Sequence, residues 1–305
     1  MDLRTITGSF FNTDNTITAA CSPLLLEQTM SMCDYYEHLL SKTVPGSDVW
    51  RINHSHDNPV DVNGHTARIL ELALEMYEVS GGRFNIAIGS VMELWKFGSG
   101  TEAIPDPKAL SRALSVIDCK QIRLSGGSVQ IPDGMQIDLG GIAKGYIADR
   151  IAEELYINGV ESALINLGGN IAAIGQKPDG NRWKVGLQIP FIERSHRDSF
   201  WSVMDCINES VVTSGSYERG FYQDGRWYHH IIDPETGMPV DNDILSVTVC
   251  AKSSFLADAL TTPMFLLGER EGMDLADRYG VDAAYYLRDD RIITNAGMKK
   301  RLRFL

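Results

Sequence analysis

The stretch MQIDLGGIAKGYIADRIAEEL, Met135 to Leu155, decides how the chain is read. Ile137 and Leu139 alternate with Gln136 and Asp138, which is the period of a half-buried strand. Gly140 and Gly141 follow, where the backbone can turn sharply and approach another group with no Cβ in the way. From Ile142 the period changes. Ile142, Ala143, Tyr146, Ile147, Ile151, Ala152 and Leu155 recur at helical spacing, so a helix starts just past the glycines. A strand, two glycines and a helix N-terminus bring unpaired N–H groups and the positive end of a helix dipole together. Lys144, in the first turn, adds a full charge. The arrangement suits a phosphate or pyrophosphate; an ordinary strand-to-helix turn with a surface lysine carries the same pattern.

The 305 residues are 44% hydrophobic and 22% charged, an ordinary globular composition with no Pro/Ser/Gly-rich linker to divide it. A net charge of −12 argues against a nucleic-acid surface, so an anionic ligand would need local help from a metal or from fixed dipoles. The five cysteines are widely spaced and form no CxxC pair, which points to neither a zinc site nor a disulfide framework. The N-terminus lacks the apolar run of a secretory signal and no segment is long enough to span a bilayer, so the expected location is the cytoplasm.

Outward from the opening stretch, Arg4–Asn12 reads as a first strand interrupted at Gly8-Ser9, and Pro23 opens a helix to Leu40. Ser41–Asn53 reads as a loop over something functional. His54, His56 and His65 follow closely, but their polar surroundings favour solvated loop histidines over metal ligands. Asn63–Ser80 is a helix capped by Gly81-Gly82. Pro105 and Pro107 open a short helix to Leu114, and the segments around Gly126-Gly127 form a hairpin. Beyond Ser162 come closely spaced strands, then helices at Ser253–Leu267 and Arg270–Tyr279 and two last strands. Short turns between strands imply antiparallel pairing. The expected class is therefore α+β: mixed, mainly antiparallel sheets with packed helices, not a doubly wound parallel fold.

Three further segments can carry chemistry. Asp258 and Thr262 lie four apart on one helix face, and a carboxylate, a hydroxyl and nearby main-chain carbonyls make a hard-oxygen set that suits Mg²⁺. Pro263 removes the N–H that would bond the Ala259 carbonyl and is expected to bend the helix there. A surface aspartate beside a back-bonded threonine gives the same spacing. TSGSYERG, with Ser214 and Gly215, follows a strand and can turn backbone amides toward a ligand. HHIIDPETG brings two adjacent histidines on a strand, then a turn at Asp233-Pro234 completed by Gly237; only one of the pair can face a site. A histidine suits a proton acceptor at neutral pH.

DLGGIAKGYIAD, NLGGN, TSGSYERGF, HIIDPETGMPV and ADALTT together, in this order, resemble the ApbE family, the FAD:protein FMN transferases. The RIN and VDVN segments and GGRFNIAIGSVMELWKFG sit where that family has related motifs, so the resemblance runs from about Thr7 to Leu267. It implies an ApbE-like (T-fold-related) architecture in one domain over residues 1–305, divisible into two tightly packed lobes with the active site between them. The implied reaction moves FMN from FAD to a threonine or serine hydroxyl of a target flavoprotein, forming a phosphoester and releasing AMP, with Mg²⁺ required. By the resemblance Asp258 and Thr262 hold the metal, with main-chain oxygens of Gly141 and Thr261. Thr7, Asn53, Arg83, Phe84, Asn85, Asp138, Gly140, Lys144, Ser214, Gly215 and Ile232 match FAD-contacting positions, Lys144 near the phosphates. His230 is the candidate base for the acceptor hydroxyl, His229 points elsewhere, and Asp233 shapes the turn. The acceptor partner carries a short Asp-x-x-[Ser/Thr]-type motif.

The chain departs from the family pattern at three positions: Asn85 replaces an aspartate, Ala87 a threonine, and Pro263 a small helix former. It also lacks the lipoprotein leader many relatives carry, which points to a cytoplasmic acceptor. Two other readings use the same residues: an FAD pyrophosphatase with water as nucleophile, and a non-catalytic FAD-binding protein that would need neither Asp258 nor His230. A Rossmann dehydrogenase does not fit, because GG-x-x-x-G is not GxGxxG and the flanking sheet is not βαβ.

Overall fold

Residues 2–191 and 199–305 are described from a computed structural model. The chain opens with a hairpin of β1 (Arg4–Phe10) and β2 (Thr13–Ala19), then α1 (Pro23–Leu40), α2 (Asp48–Asn53), β3 (Val60–Asp61), α3 (Gly64–Val79), α4 (Gly89–Trp95) and α5 (Pro107–Leu114). After β4 (Arg123–Ser125) and β5 (Ser128–Gln130) comes α6 (Ala143–Ile157). A run of strands follows: β6 (Ala163–Leu167), β7 (Asn170–Ile174), β8 (Trp183–Gln188), β9 (Phe200–Cys206), β10 (Glu209–Gly215), β11 (Gly220–Gln223), β12 (Arg226–His229) and β13 (Ile244–Ala251). The chain closes with α7 (Ser254–Leu267), α8 (Glu269–Tyr279), β14 (Asp282–Leu287), β15 (Ile292–Thr294), α9 (Ala296–Lys299) and β16 (Arg303–Phe304).

The frame is an eight-stranded sheet in the order β1-β2-β6-β7-β10-β13-β14-β15, antiparallel at every junction. Its two faces are both apolar, and the strand sequences show why. Successive residues alternate sides: Val212, Val247, Val249 and Tyr285 join the helix-side core, while Val211, Cys250, Ala284 and Tyr286 join a second core with Trp183, Val185 and Met204 of β8 and β9. The expected α+β class with mainly antiparallel sheet holds. Among the described residues no helix is long and apolar enough to cross a membrane.

Three local expectations change. The first strand is not interrupted at Gly8-Ser9; it pairs without a break to β2 through a two-residue turn at Phe11 and Asn12, both at φ 57°. Phe-Asn lacks the glycine that usually marks such a turn, which is why β2 escaped notice. Ser41–Asn53 is not all loop, because Ser47 accepts from the Trp50 N–H and caps the short α2. The Met135–Leu139 segment keeps its alternating burial but joins no ladder beyond one bridge, Ile88 to Gln136. The side chain of Asn53 substitutes for a neighbouring strand, accepting from the Ile137 N–H (2.8 Å) and donating to its carbonyl (3.0 Å). The expected helix to Leu267 is present as α7, with Pro263 inside it.

Gly145 sets how closely α6 and α7 pack. A Cβ there would stand 2.3 Å from the Ser254 carbonyl oxygen and 2.5 Å from Asp258 Cβ, against helix backbone that cannot swing aside. Gly145→Ala is expected to destabilise the protein by about 1–3 kcal/mol, the range for overpacking a filled interior. Chemical denaturation of the purified variant checks this; unchanged stability would mean the two helices are free to separate.

Candidate active site

Five segments converge on one cleft, whose free space including its open mouth is about 1210 Å³. The α3 helix ends at Gly81-Gly82, both at positive φ (61° and 86°), and the chain turns to lay Arg83, Phe84 and Asn85 along one wall. The opening stretch supplies Asp138, Gly140, Gly141 and Lys144. The end of β10 brings Thr213, Ser214 and Gly215, with Glu218 and Arg219 beyond. The chain leaving β12 contributes His230, Ile232 and Pro234, and α7 contributes Asp258 and Thr262.

The helix N-terminus at α6 is more tightly engaged than its sequence suggests. The N–H groups of Ile142 and Ala143 both bond the Leu139 carbonyl (3.1 and 3.0 Å), and the Gly145 N–H donates to Asp258 Oδ2 at 2.7 Å. Lys144 therefore carries more of any anion's charge than the amides do. Burial pushes the Asp258 carboxyl up, against the Lys144 ammonium and the Gly145 N–H, which pull it down. Asp138 is the opposite case. Burial alone would raise it, but Lys42 Nζ at 2.7 Å and the Gly140 N–H at 2.8 Å hold its carboxyl below the usual range.

The two adjacent histidines part company. His229 is buried against the Phe265 ring, and burial pushes its pKa down to about 4. His230 lines the cleft. Its Nδ1 lies 3.1 Å from the Arg219 carbonyl oxygen, which can only accept, so Nδ1 carries the proton and Nε2 keeps a free lone pair. Burial, aided by the positive charges of Arg219 and Lys144, pushes His230 down to about 3. The ring is a neutral proton acceptor across the physiological range. The turn after it is shaped by Asp233, whose side chain accepts from the Glu235 N–H and whose carbonyl accepts from the Gly237 N–H. Arg83 reaches across to Asp233 and Glu235, 3.4 Å from each.

Three residues expected at the site lie off its wall. Thr7 is exposed on β1 opposite Thr16. Asn53 works from behind, fixing the segment that presents Asp138. Thr261 is buried and accepts from the Ser214 hydroxyl at 2.8 Å. Asn85 is on the wall with its polar atoms spent locally: Nδ2 donates to the Ile117 carbonyl and Oδ1 accepts from the Ala87 N–H. Conversely, Asn170, Arg219 and Thr13 line the cleft without having been singled out. Asn170 and Arg219 stood inside the NLGGN and TSGSYERG motifs, but only the sheet register shows where they point. Among the described residues no three His, Cys, Asp or Glu side chains gather as metal ligands would.

The model of the ApbE family matches residues 11–285. The chain belongs to the ApbE family. It is 40% identical over 298 residues to the FAD:protein FMN transferase of Treponema pallidum, covering 92% of this chain and 82% of that protein. To the enzyme of that name from Klebsiella pneumoniae it is 36% identical over 285 residues, covering 92% and 87%. Two solved structures share the architecture: the ApbE protein of Thermotoga maritima (TM-score 0.90, 27% identity, 99% of this chain and 100% of that one) and the flavin transferase ApbE of Vibrio cholerae (0.85, 26%, 99% and 100%). This ApbE family member is thus a transferase. Its cleft sits on the helix side of the long sheet, where β10, β12 and α7 meet the α6 N-terminus.

In histidine-labelled protein, His230 is expected to show the Nδ1–H tautomer and to remain neutral at pH 5, with Lys144→Ala raising its pKa. An NMR titration reads both; a His230 pKa near the ordinary 6.5 would contradict the geometry.

Proposed function

We propose that this chain transfers FMN from FAD to a threonine or serine hydroxyl of an acceptor flavoprotein, releasing AMP, and that it does so as one catalytic unit. The observation that carries the reading is the His230 ring: a base with Nε2 free, lining the same cleft as Lys144 and Asp258. The names of the relatives at 40% and 36% identity point the same way.

The residues present fit a magnesium ion. Asp258 is 3% exposed, and one of its carboxylate oxygens is already held by the Gly145 N–H. A Cβ added to Gly141 would lie 3.6 Å from Thr262 Oγ1, so only the absent side chain leaves room between them. All the donors are hard oxygens, and a buried carboxylate calls for a counter-charge. Asp258, the Thr262 hydroxyl and the main-chain oxygen of Gly141, which all line the cleft, would hold the ion, which when bound neutralises diphosphate charge.

The protein's own part is positioning, charge stabilisation and proton transfer, the first two being what phosphoryl chemistry chiefly asks for. The acceptor hydroxyl oxygen bonds the phosphorus on the FMN side of the diphosphate as the bond to the AMP oxygen breaks. The hydroxyl proton passes to His230 Nε2, and AMP leaves with the electron pair. Lys144 faces the charge that accumulates on the leaving phosphate. The bound diphosphate also offsets the Lys144 and Arg219 charges that depress His230, which raises its basicity when substrate is in place.

Protein, FAD, Mg²⁺ and an acceptor domain bearing the Asp-x-x-[Ser/Thr]-type motif should give an FMN-sized mass gain on the denatured acceptor, lost with chelator. Asp258→Ala should abolish metal-dependent FAD cleavage, and His230→Ala should slow transfer about 10²–10⁴-fold, the usual contribution of a general base. Free FMN and AMP with two different acceptors left unmodified would make the protein a pyrophosphatase. Intact bound FAD would leave only a flavin binder.

A further inference from the structure

The NLGGN motif has no part in the chemistry described so far, yet it is built to deliver one side chain. Gly168 and Gly169 form a two-residue turn between β6 and β7 with φ of 59° and 90°, a pairing that glycine adopts without strain. Gly168 also packs where a Cβ would strike the Thr13 side chain at 2.6 Å. The turn puts Asn170 first on β7, paired with Leu167 on one side and Val212 of β10 on the other. There it lines the cleft and is 1% exposed.

Its amide is held in one orientation. Oδ1 accepts from the Ser254 hydroxyl. Ser254 is itself fixed, since Asp149 on α6 accepts from the N–H groups of Ser254 (2.7 Å) and Phe255 (3.1 Å) at the start of α7. Turning the amide over would aim its oxygen at the Asp258 carboxylate, two acceptors face to face. Ser254 lies one helical turn before Asp258 on α7, so with Oδ1 on the Ser254 hydroxyl the other end of the amide, Nδ2, is directed along the helix toward the Asp258 carboxylate, and it closes no hydrogen bond of its own. A buried amide donor without a partner is costly, and its retention beside a carboxylate marks a contact that tightens when the site is loaded.

We infer that Asn170 is a positioning residue for Asp258: with the Gly145 N–H on Oδ2, its Nδ2–H fixes the rotation of the carboxylate and so presents one oxygen to the metal. This rests on the metal assignment made above, though not on flavin transfer to a protein. Partners that orient metal ligands are worth 10–100-fold in affinity in general.

The test is a Mn²⁺ titration of the FAD-loaded protein followed by the EPR signal of free ion, for the unaltered chain, Asn170→Ala and the isosteric Asn170→Asp, each with its thermal midpoint and FAD affinity. Both variants should bind the ion about 10–100-fold more weakly, with FAD affinity at saturating metal changed less than about threefold. Ser254→Ala, which frees the amide to turn, should move in the same direction by less. Unchanged ion affinity in whichever variants keep the native thermal midpoint overturns the assignment. So does weakened FAD binding with normal ion affinity, which would send the donor to a phosphate instead, and so does an unaltered chain that binds no ion. Because the readout is ion binding, a protein that binds the ion yet transfers no FMN sinks the functional reading and leaves Asn170 to be judged on its own numbers.

Discussion

One N–H, that of Gly145, joins the two halves of the site. It donates across the contact between α6 and α7 to Asp258 Oδ2, at a point where the helices approach too closely for any Cβ. The preceding residue, Lys144, faces the cleft from α6, and Thr262 faces it one turn beyond Asp258 on α7. The backbone positions from which the Lys144 cation and the Asp258 carboxylate reach into the cleft are therefore held at a fixed separation. The long sheet makes this possible. Its helix-side face carries small or β-branched residues in β10 and β13, so α7 can lie flat on the strands that bring Ser214 and Asn170.

The distribution of charge explains how an acidic protein can receive a dinucleotide. With a net charge of −12, long-range attraction works against an anionic ligand. Several cations near the cleft are already committed: Lys42 to Asp138, and Arg83 to Asp233 and Glu235. Lys144 and Arg219 enter no ion pair among the described residues, and these are the two charges that depress His230. An anion placed against them relieves the histidine. The same two residues thus tie the charge state of the cleft to the basicity of the His230 ring.

Much of the architecture was legible in the sequence because its helices are amphipathic and capped. Pro23, Ser253 and the glycines after Val79 mark ends that the structure reproduces within a residue or two. Strand β2 was hidden by its Phe-Asn turn, and the Met135–Leu139 segment looked like a strand because Asn53 satisfies its backbone as a strand would. At the site, Asp258 and Thr262 could be paired from helical spacing alone. The other contributors lie between Arg83 and Ile232 in sequence and meet only through sheet register, so periodicity could not bring them together; the family resemblance did. Asn170 and Arg219 stayed invisible because their meaning lies in what they touch: a hydroxyl on α7 for one, a histidine ring for the other.

Asn85 shows how such a departure from a family pattern is absorbed. Read alone, it exchanges a charged contact to FAD for a neutral one. In place, its Nδ2 donates to the Ile117 carbonyl at 2.8 Å, and its Oδ1 accepts from the Ala87 N–H at 2.8 Å and from the Cys119 thiol at 3.0 Å. An aspartate could keep the two acceptor contacts but not the donation, and its charge would face a carbonyl oxygen instead of receiving a hydrogen bond. The amide ties the Arg83–Ile88 segment to the chain around Ile117, so residue 85 shapes the cleft wall by holding backbone. The wall's charge toward a ligand then falls to Arg83 on the same segment, which is balanced by the Asp233 turn that also follows His230. At this position the side chain thus serves the scaffold rather than a ligand, and it makes no contact with Asp258, Thr262 or His230 through its hydrogen bonds.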